Sequence, residues 1–324
     1  MKIIALLPVK NETWILRFSL KNLSQCCDEI ILLDDTSSDS LLEVTCEYPK
    51  VTVIPFYANE KHVNMSHRRN VLLAEGRKRH GTHFVCLDAD EIFSSLFIEN
   101  ISKVVTHMIP GEKIFLPWIL LNRKHGEFTY SKAYEENLKD FIFCDDTTGV
   151  FPDQALSEQR TPGPYTTARK IAFKDGAVFH FQNIPEKRNQ FKQAWYRCNE
   201  FLEHTKSARR INLLYGFTKT LSYNSNTVVE DAFIEANKYL IHYDADYIFY
   251  LTKIKEMFKQ QGVIFFEPLD IWYLEDLYTI FINEVGRPPK PEVFPSLVIA
   301  INTIKNKIKN AILLKYSLAK QKPQ

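Results

Sequence analysis

Four short apolar runs, 3–7 (IIALL), 30–33 (IILL), 51–56 (VTVIPF) and 84–87 (FVCL), show no alternation of polar and apolar positions. A strand covered on both faces has no side that needs polar residues, so such runs predict buried parallel strands. Between the first two lies ETWILRFSLKNLSQ, in which Leu16, Leu20 and Leu23 fall on one helical face. SDSLLEVTCEY follows the second run with Ser38 or Asp39 as candidate N-cap, and SHRRNVLLAEGRKRH joins the third run to the fourth. Strand and helix therefore alternate, which predicts an α/β fold: an open, mostly parallel sheet flanked by helices.

Beyond Pro110-Gly111 the pattern changes to irregular strands, KIFLPWILL, DFIFCDD and AVFHFQ, with the loop FPDQALSEQRTPGP between the last two. From about Pro185 the chain turns helical, through EKRNQFKQAWYRCNEFLEH, a stretch at 228–260 and DIWYLEDLYTIFINEV. The expected organisation is a catalytic domain over 1–185, a helical acceptor-side region over 186–286, and a linker (RPPKPEVFP) with a terminal helix over 287–324.

Forty-one Lys and Arg against 39 Asp and Glu leave a net charge of +2 in 324 residues, which argues against a partner held by bulk charge such as nucleic acid. The six cysteines show neither C-x-x-C nor zinc spacing, and several sit in apolar runs where a thiol acts as a small hydrophobe. A reducing cytoplasm is the expected setting. No uncharged apolar stretch reaches the roughly 18 residues of a membrane span, and the opening apolar run lacks a cleavage site. The chain is expected to be soluble or only attached to a membrane surface.

In open α/β sheets, ligands bind beyond the carboxyl ends of the strands. Three polar segments occupy those ends here: Pro8-Val9-Lys10-Asn11-Glu12, Asp34 to Asp39, and Asp88-Ala89-Asp90-Glu91. Asp-x-Asp at a strand end offers two hard oxygen donors to Mg²⁺ or Mn²⁺, which also needs phosphate and water oxygens. An acidic turn capping the next helix is the plainer alternative. The same tripeptide at 244–246 precedes Tyr247, Leu251, Ile254 and Phe258, spaced as one helical face, so Asp244 reads as an N-cap there.

The ordered segments ALLPVKNE, EIILLDDTSSDS, SHRRNVLLA and HFVCLDADEIF together resemble the amino-terminal half of family-2 glycosyltransferases with the GT-A fold, over about residues 1–185. The resemblance implies that Pro8, Val9 and Glu12 line a nucleotide pocket and that Asp34 or Asp35 accepts a hydrogen bond from the base. It implies that Arg68 or Arg69 faces the diphosphate, and that Asp88 and Asp90 hold the metal. His180, late in a strand, matches a third metal ligand found in part of that group; the alternative is a core histidine with a satisfied hydrogen bond. Glu158 corresponds to the glutamate of the family's Val-His-Glu segment, although Leu156-Ser157 stands here in place of Val-His. Asp153 is the other candidate for the base that deprotonates the acceptor hydroxyl.

Trp118, Trp195 and Tyr196 are candidates to stack on sugar rings or to fill core. The terminal segment places Ile301, Ile304, Ile308 and Ile312 on one face, with Lys305, Lys307, Lys309 and Lys315 elsewhere around the helix. It suits either peripheral contact with an anionic membrane or packing on protein. PVKNETW lacks the glycines of a dinucleotide-binding turn and the Gly-rich basic loop of a nucleotidyltransferase. The expectation is a metal-dependent, inverting glycosyltransferase using a nucleotide-sugar, a UDP-sugar, with a glycan or lipid-linked saccharide as acceptor. A binding module that keeps the pocket without turnover is the first alternative, and a nucleotidyltransferase the second.

Overall fold

The computed structural model describes residues 1–290 except 38–39, 57–64, 153–158, 205, 224 and 241–245, and gives no side-chain detail for 216–223. Its elements run β1 (Ile3–Val9), α1 (Thr13–Leu23), β2 (Glu29–Asp34), α2 (Leu41–Thr45), β3 (Val51–Pro55), α3 (Met65–Lys78), β4 (His83–Cys86), β5 (Glu91–Phe93), α4 (Ser95–Thr106) and β6 (Glu112–Leu120). There follow β7 (Asn122–Lys124), β8 (Glu127–Tyr130), β9 (Leu138–Cys144), β10 (Thr167–Lys170), β11 (Val178–His180), α5 (Glu186–Leu202), α6 (Ala208–Tyr223), β12 (Thr227–Val228), α7 (Ala232–Asn237), α8 (Ile248–Gln261) and α9 (Glu275–Val285). The chain is a mixed α/β protein with one large sheet flanked by helices. Its order is β3-β2-β1-β4-β9-β6-β11-β5, with β10 beside β6.

The four runs without alternation are β1 to β4, and their pairings with one another are all parallel; β1, β2 and β4 are buried as expected, whereas β3 lies at the sheet edge and is only half-buried. The reason is visible in their side chains. Ile3, Ala5, Leu7 and Val9 point to one face of the sheet, where Leu16, Leu20 and Leu23 of α1 cover them. Ile4 and Leu6 point to the other, against Leu72 and Leu73 of α3. With period-two side chains and cover on both sides, every position must be apolar. The second half of the sheet is mixed: β9 runs antiparallel to both β4 and β6, and β11 is parallel to β6 but antiparallel to β5.

The close approach of α3 to β4 depends on small residues in the intervening turn. A Cβ on Gly81 would lie 2.6 Å from Cε1 of Phe84 and 2.8 Å from Cδ1 of Ile4, both of which are fully buried. Gly81→Ala is therefore expected to cost about 1–3 kcal/mol by overpacking, read as a lowered denaturation midpoint with the slope unchanged.

Two compact units emerge: Met1–Pro185 with Asn224–Ala245, and Glu186–Tyr223 with the chain from Asp246 onward. The stretch at 228–260 is thus not one helix. Asp231 accepts hydrogen bonds from the amides of Phe233 and Ile234 and starts a separate helix, α7, within the first unit, while β12 pairs with β8. The second Asp-Ala-Asp does precede a helix, α8, whose N-cap position is Tyr247; just ahead of it Asp246 accepts from the Ile248 amide at 2.7 Å. Asp244 lies outside the described residues, as do Ser38, Asp39 and the whole terminal segment 291–324. The helix read over 38–48 is described only as the single short turn of α2. All six cysteines are free thiols. Among the described residues no helix is long and apolar enough to cross a membrane.

Candidate functional site

Parallel pairing of β2, β1 and β4 brings their carboxyl ends to one rim, because Val9 is in register with Asp34 and Leu6 with Cys86. Past β1 the chain turns at Asn11 (φ 55°), whose amide donates to Ser37 Oγ at 3.1 Å. Glu12 starts α1 with its carbonyl, which accepts from the amides of Ile15 and Leu16, and its carboxylate accepts from the Trp14 indole at 2.5 Å.

Past β2 the two aspartates part ways. Asp34 Oδ1 accepts from the Ser37 amide and closes the turn in which Thr36 takes φ 53°. Asp35 is buried, and its Oδ2 meets Arg68 Nη2 at 2.6 Å and Lys10 Nζ at 3.0 Å. Asp35 is thus committed to two cations in this structure. Pro8 and Val9, the last residues of β1, lie beside Leu33 and Asp34.

Past β4 comes a denser network. Asp88 is the reachable member, with its side chain 31% exposed, and it lies between two guanidiniums: Oδ1 is 3.1 Å from Arg69 Nη2 and Oδ2 is 3.1 Å from Arg160 Nη1. Partial burial works against its charge, but Arg160 and Arg69 outweigh that and hold its carboxyl below the usual range. Asp90 is buried, with Oδ2 3.2 Å from His180 Nε2, and its carbonyl accepts from the Phe181 amide. The antiparallel pairing of β5 with β11 sets His180 directly across from Glu91.

Glu91 is fully buried and serves three donors: the Trp118 indole at 2.6 Å, Arg160 Nη1 at 2.6 Å and the Asp88 amide at 2.9 Å. Burial pushes its carboxyl above the ordinary value, opposed by Arg160. Burial equally disfavours the Arg160 charge, yet Asp88, Glu91 and Asp90 together raise its guanidinium above the ordinary value. Arg160 also rests near the rings of Trp118 and Phe141, at 5.5 and 5.1 Å.

Trp118 is not presented to a ligand as a stacking surface. Its ring stacks on His180 at 4.7 Å, carries Lys139 Nζ at 3.9 Å, and donates its N–H to Glu91. Trp195 and Tyr196 lie in the second unit, against one another and, for Trp195, against Tyr250. Glu158 and Asp153 are outside the described residues.

Several buried polar atoms at the rim have no hydrogen-bond partner among the described residues: Nε of Arg68, Nε of Arg69 and Nδ1 of His180. Unpaired buried donors are costly, and a fully satisfied native site does not leave two guanidinium N–H groups idle without a reason.

The residues also suit a divalent cation of a particular kind. Among the described residues no three His, Cys, Asp or Glu side chains come together to cage a metal. A hard cation held by one or two carboxylates and completed by phosphate and water needs no such cage, and Asp88, with Asp90 oriented by His180 behind it, offers that donor set.

Arg160 and Glu91, which dominate the geometry, are not singled out by sequence reasoning. Arg160 carries a signal in hindsight: it is the one cation between Lys139 and Arg169, in a stretch that holds Asp145, Asp146, Asp153 and Glu158.

No protein-family model and no curated protein matches the sequence. Among solved structures, S. aureus TarS 1-349 aligns at 14% identity over 88% of this chain and 79% of that one, with a TM-score of 0.43. In its complex with UDP-GlcNAc the alignment spans 55% of this chain and 58% of that one, at 15% identity and a TM-score of 0.41. In the complex with UDP it spans 36% of either chain, at 18% identity and a TM-score of 0.31. The mannosyltransferase PcManGT from Pyrobaculum calidifontis, in complex with GDP-Man and Mn²⁺, aligns at 14% identity over 80% of this chain and 74% of that one, with a TM-score of 0.33. A 4-diphosphocytidyl-2C-methyl-D-erythritol synthase aligns at 13% identity over 44% of this chain and 74% of that one, with a TM-score of 0.31. At TM-scores below 0.5 these are distant likenesses, and no residue's role passes from them to this chain.

Proposed function

We propose that the protein is a glycosyltransferase that takes a sugar from a nucleoside diphosphate, a UDP-sugar in the first instance, and transfers it with inversion to an acceptor hydroxyl of a glycan or lipid-linked saccharide. The observation that carries this reading is the set of paired carboxylates and arginines at the ends of β2 and β4, on either side of β1: Asp35 with Arg68 and Asp88 between Arg69 and Arg160, with Nε of both α3 arginines unpaired among the described residues.

In this reading, the Nε groups of Arg68 and Arg69 donate to diphosphate oxygens, and Pro8, Val9, Glu12 and Asp34 line the nucleoside side. Asp34, whose neighbour Asp35 is held by Arg68 and Lys10, accepts from the base. The described cations at the rim, Lys10, Arg68, Arg69 and Arg160, each already face a carboxylate, of Asp35, Asp88 or Glu91. An arriving diphosphate therefore needs a further positive charge. Asp88 and Asp90 would hold Mn²⁺ or Mg²⁺, which supplies Lewis-acid stabilisation of the departing diphosphate. His180 orients Asp90 through Nε2. Glu158, or else Asp153, removes the proton of the acceptor hydroxyl as it attacks the anomeric carbon, and the nucleoside diphosphate leaves on the opposite face.

The test is turnover of a panel of nucleotide-sugars by the purified protein with Mn²⁺. Glu158→Gln is expected to keep nucleotide affinity and lose transfer; full activity in that variant moves the base to Asp153. Silence across the panel with every added cation would count against the enzyme altogether. Peripheral membrane contact through 296–324 is part of the same proposal and is checked by liposome co-sedimentation with and without that segment, equal pelleting being the contrary result.

A further inference from the structure

Three consecutive residues of α3 reach three different parts of the rim. Arg68 takes Asp35, and Arg69 takes Asp88 through Nη2 and the carbonyl of Arg160 through Nη1 at 3.2 Å. Asn70 does something else. Its Oδ1 accepts from the Phe151 amide and its Nδ2 donates to the Phe151 carbonyl, both at 2.9 Å. A primary amide is the neutral side chain that can copy a peptide group in this way, offering donor and acceptor in one plane. Phe151 is buried in the cluster that contains Leu72 and Leu73 of the same helix.

The next residue pair along closes the loop. Val150 and Gly163 exchange backbone hydrogen bonds at 2.9 and 3.0 Å. Phe151 and Arg160 are thus each bonded to α3, Val150 is paired with Gly163, and Thr161 beside Arg160 donates to Asp140. Arg160 in turn touches Asp88 and Glu91.

Resting on the role given above to Asp88, we propose that Asn70 is a positioning residue for that carboxylate: by holding the Phe151 backbone it keeps Val150 paired with Gly163, and Gly163 lies three residues past Arg160, the partner of Asp88. No hydrogen bond described for Asn70 touches Asp88, so its effect travels through Phe151, the Val150–Gly163 pair and Arg160. Its removal leaves no buried charge unpaired, and Asn70→Ala is expected to fold.

The experiment has a ligand-free arm and a ligand arm. Hydrogen exchange of Asn70→Ala should accelerate at least about tenfold at the Phe151 amide and rise in the peptide spanning 159–163, with β1 and β4 unchanged. A crystal structure of that variant should show the contact between Arg160 and Asp88 lost. In the ligand arm, the Mn²⁺ concentration giving half-maximal UDP binding should rise several-fold, while UDP affinity at saturating Mn²⁺ stays within about twofold of wild type. Arg160→Lys, which keeps the charge but loses the fork, should show the same split. Unchanged exchange at Phe151 overturns the proposal, and so does accelerated exchange with an unaltered Mn²⁺ requirement. If the wild type itself shows no Mn²⁺-dependent UDP binding, the functional reading of Asp88 fails, while the exchange arm still decides whether Asn70 holds the loop.

Discussion

Glu91→Ala is expected to destabilise the first unit by about 3–5 kcal/mol, more than any other single change at the rim. The carboxylate it removes is fully buried and receives the Trp118 indole, Arg160 and the Asp88 amide. Alanine offers none of these donors an acceptor. Arg160 would keep Asp88 as its one described carboxylate neighbour within 4 Å, at 3.1 Å rather than 2.6 Å. Glu91→Gln separates the contributions. It retains an acceptor for the indole and much of the shape while losing the charge, so its cost should fall between wild type and alanine. Urea denaturation followed through the first unit measures both, and a loss below about 1 kcal/mol for alanine would mean that the network carries little stability.

Asp88→Ala is expected to have the largest functional effect, lowering turnover by about 10²–10³-fold. Asp88 is the partly exposed carboxylate of its motif, whereas Asp90 is buried and engaged by His180. Removing Asp88 also leaves Arg69 and Arg160 facing each other across the space it occupied. Arg160 keeps Glu91, but the charge of Arg69 is no longer offset by Asp88 and attracts a diphosphate, so UDP binding without metal should survive or strengthen in this variant while turnover falls. That opposition of effects separates a lost metal ligand from a collapsed pocket, which would lose both together.

The parallel half of the sheet was legible because its constraint is local. Residues 3–9 must be apolar on both faces, and that requirement is written in consecutive letters. The rule that ligands gather at strand ends then located the rim without any tertiary information. The hairpin of β7 and β8 also carried a readable signal that went unread: His125 and Gly126 both have positive φ, at 52° and 88°, the two-residue turn that favours Gly at its second position. What could not be read was pairing over long sequence distance. Arg160 meets Glu91 across 69 residues, and Asn70 meets Phe151 across 81. Periodicity is silent about such partners. Trp118 illustrates the same limit, since an aromatic residue one strand away from an acidic motif reads equally well as a sugar platform or as a donor to a buried carboxylate, and only its contacts with Glu91, His180 and Lys139 decide. Asp34 and Asp35 look alike in sequence; the difference lies in Arg68 and Lys10, which claim the second.

The central claim is that this rim grips the diphosphate of an activated sugar. Isothermal titration of the wild-type protein with UDP and with UMP, each with and without Mn²⁺, addresses it most directly. The account predicts that UDP binds in the presence of Mn²⁺ at least about tenfold more tightly than UMP, because the second phosphate is what Arg68, Arg69 and the cation recognise. Equal affinity for the two nucleotides, or no binding of either, would contradict it.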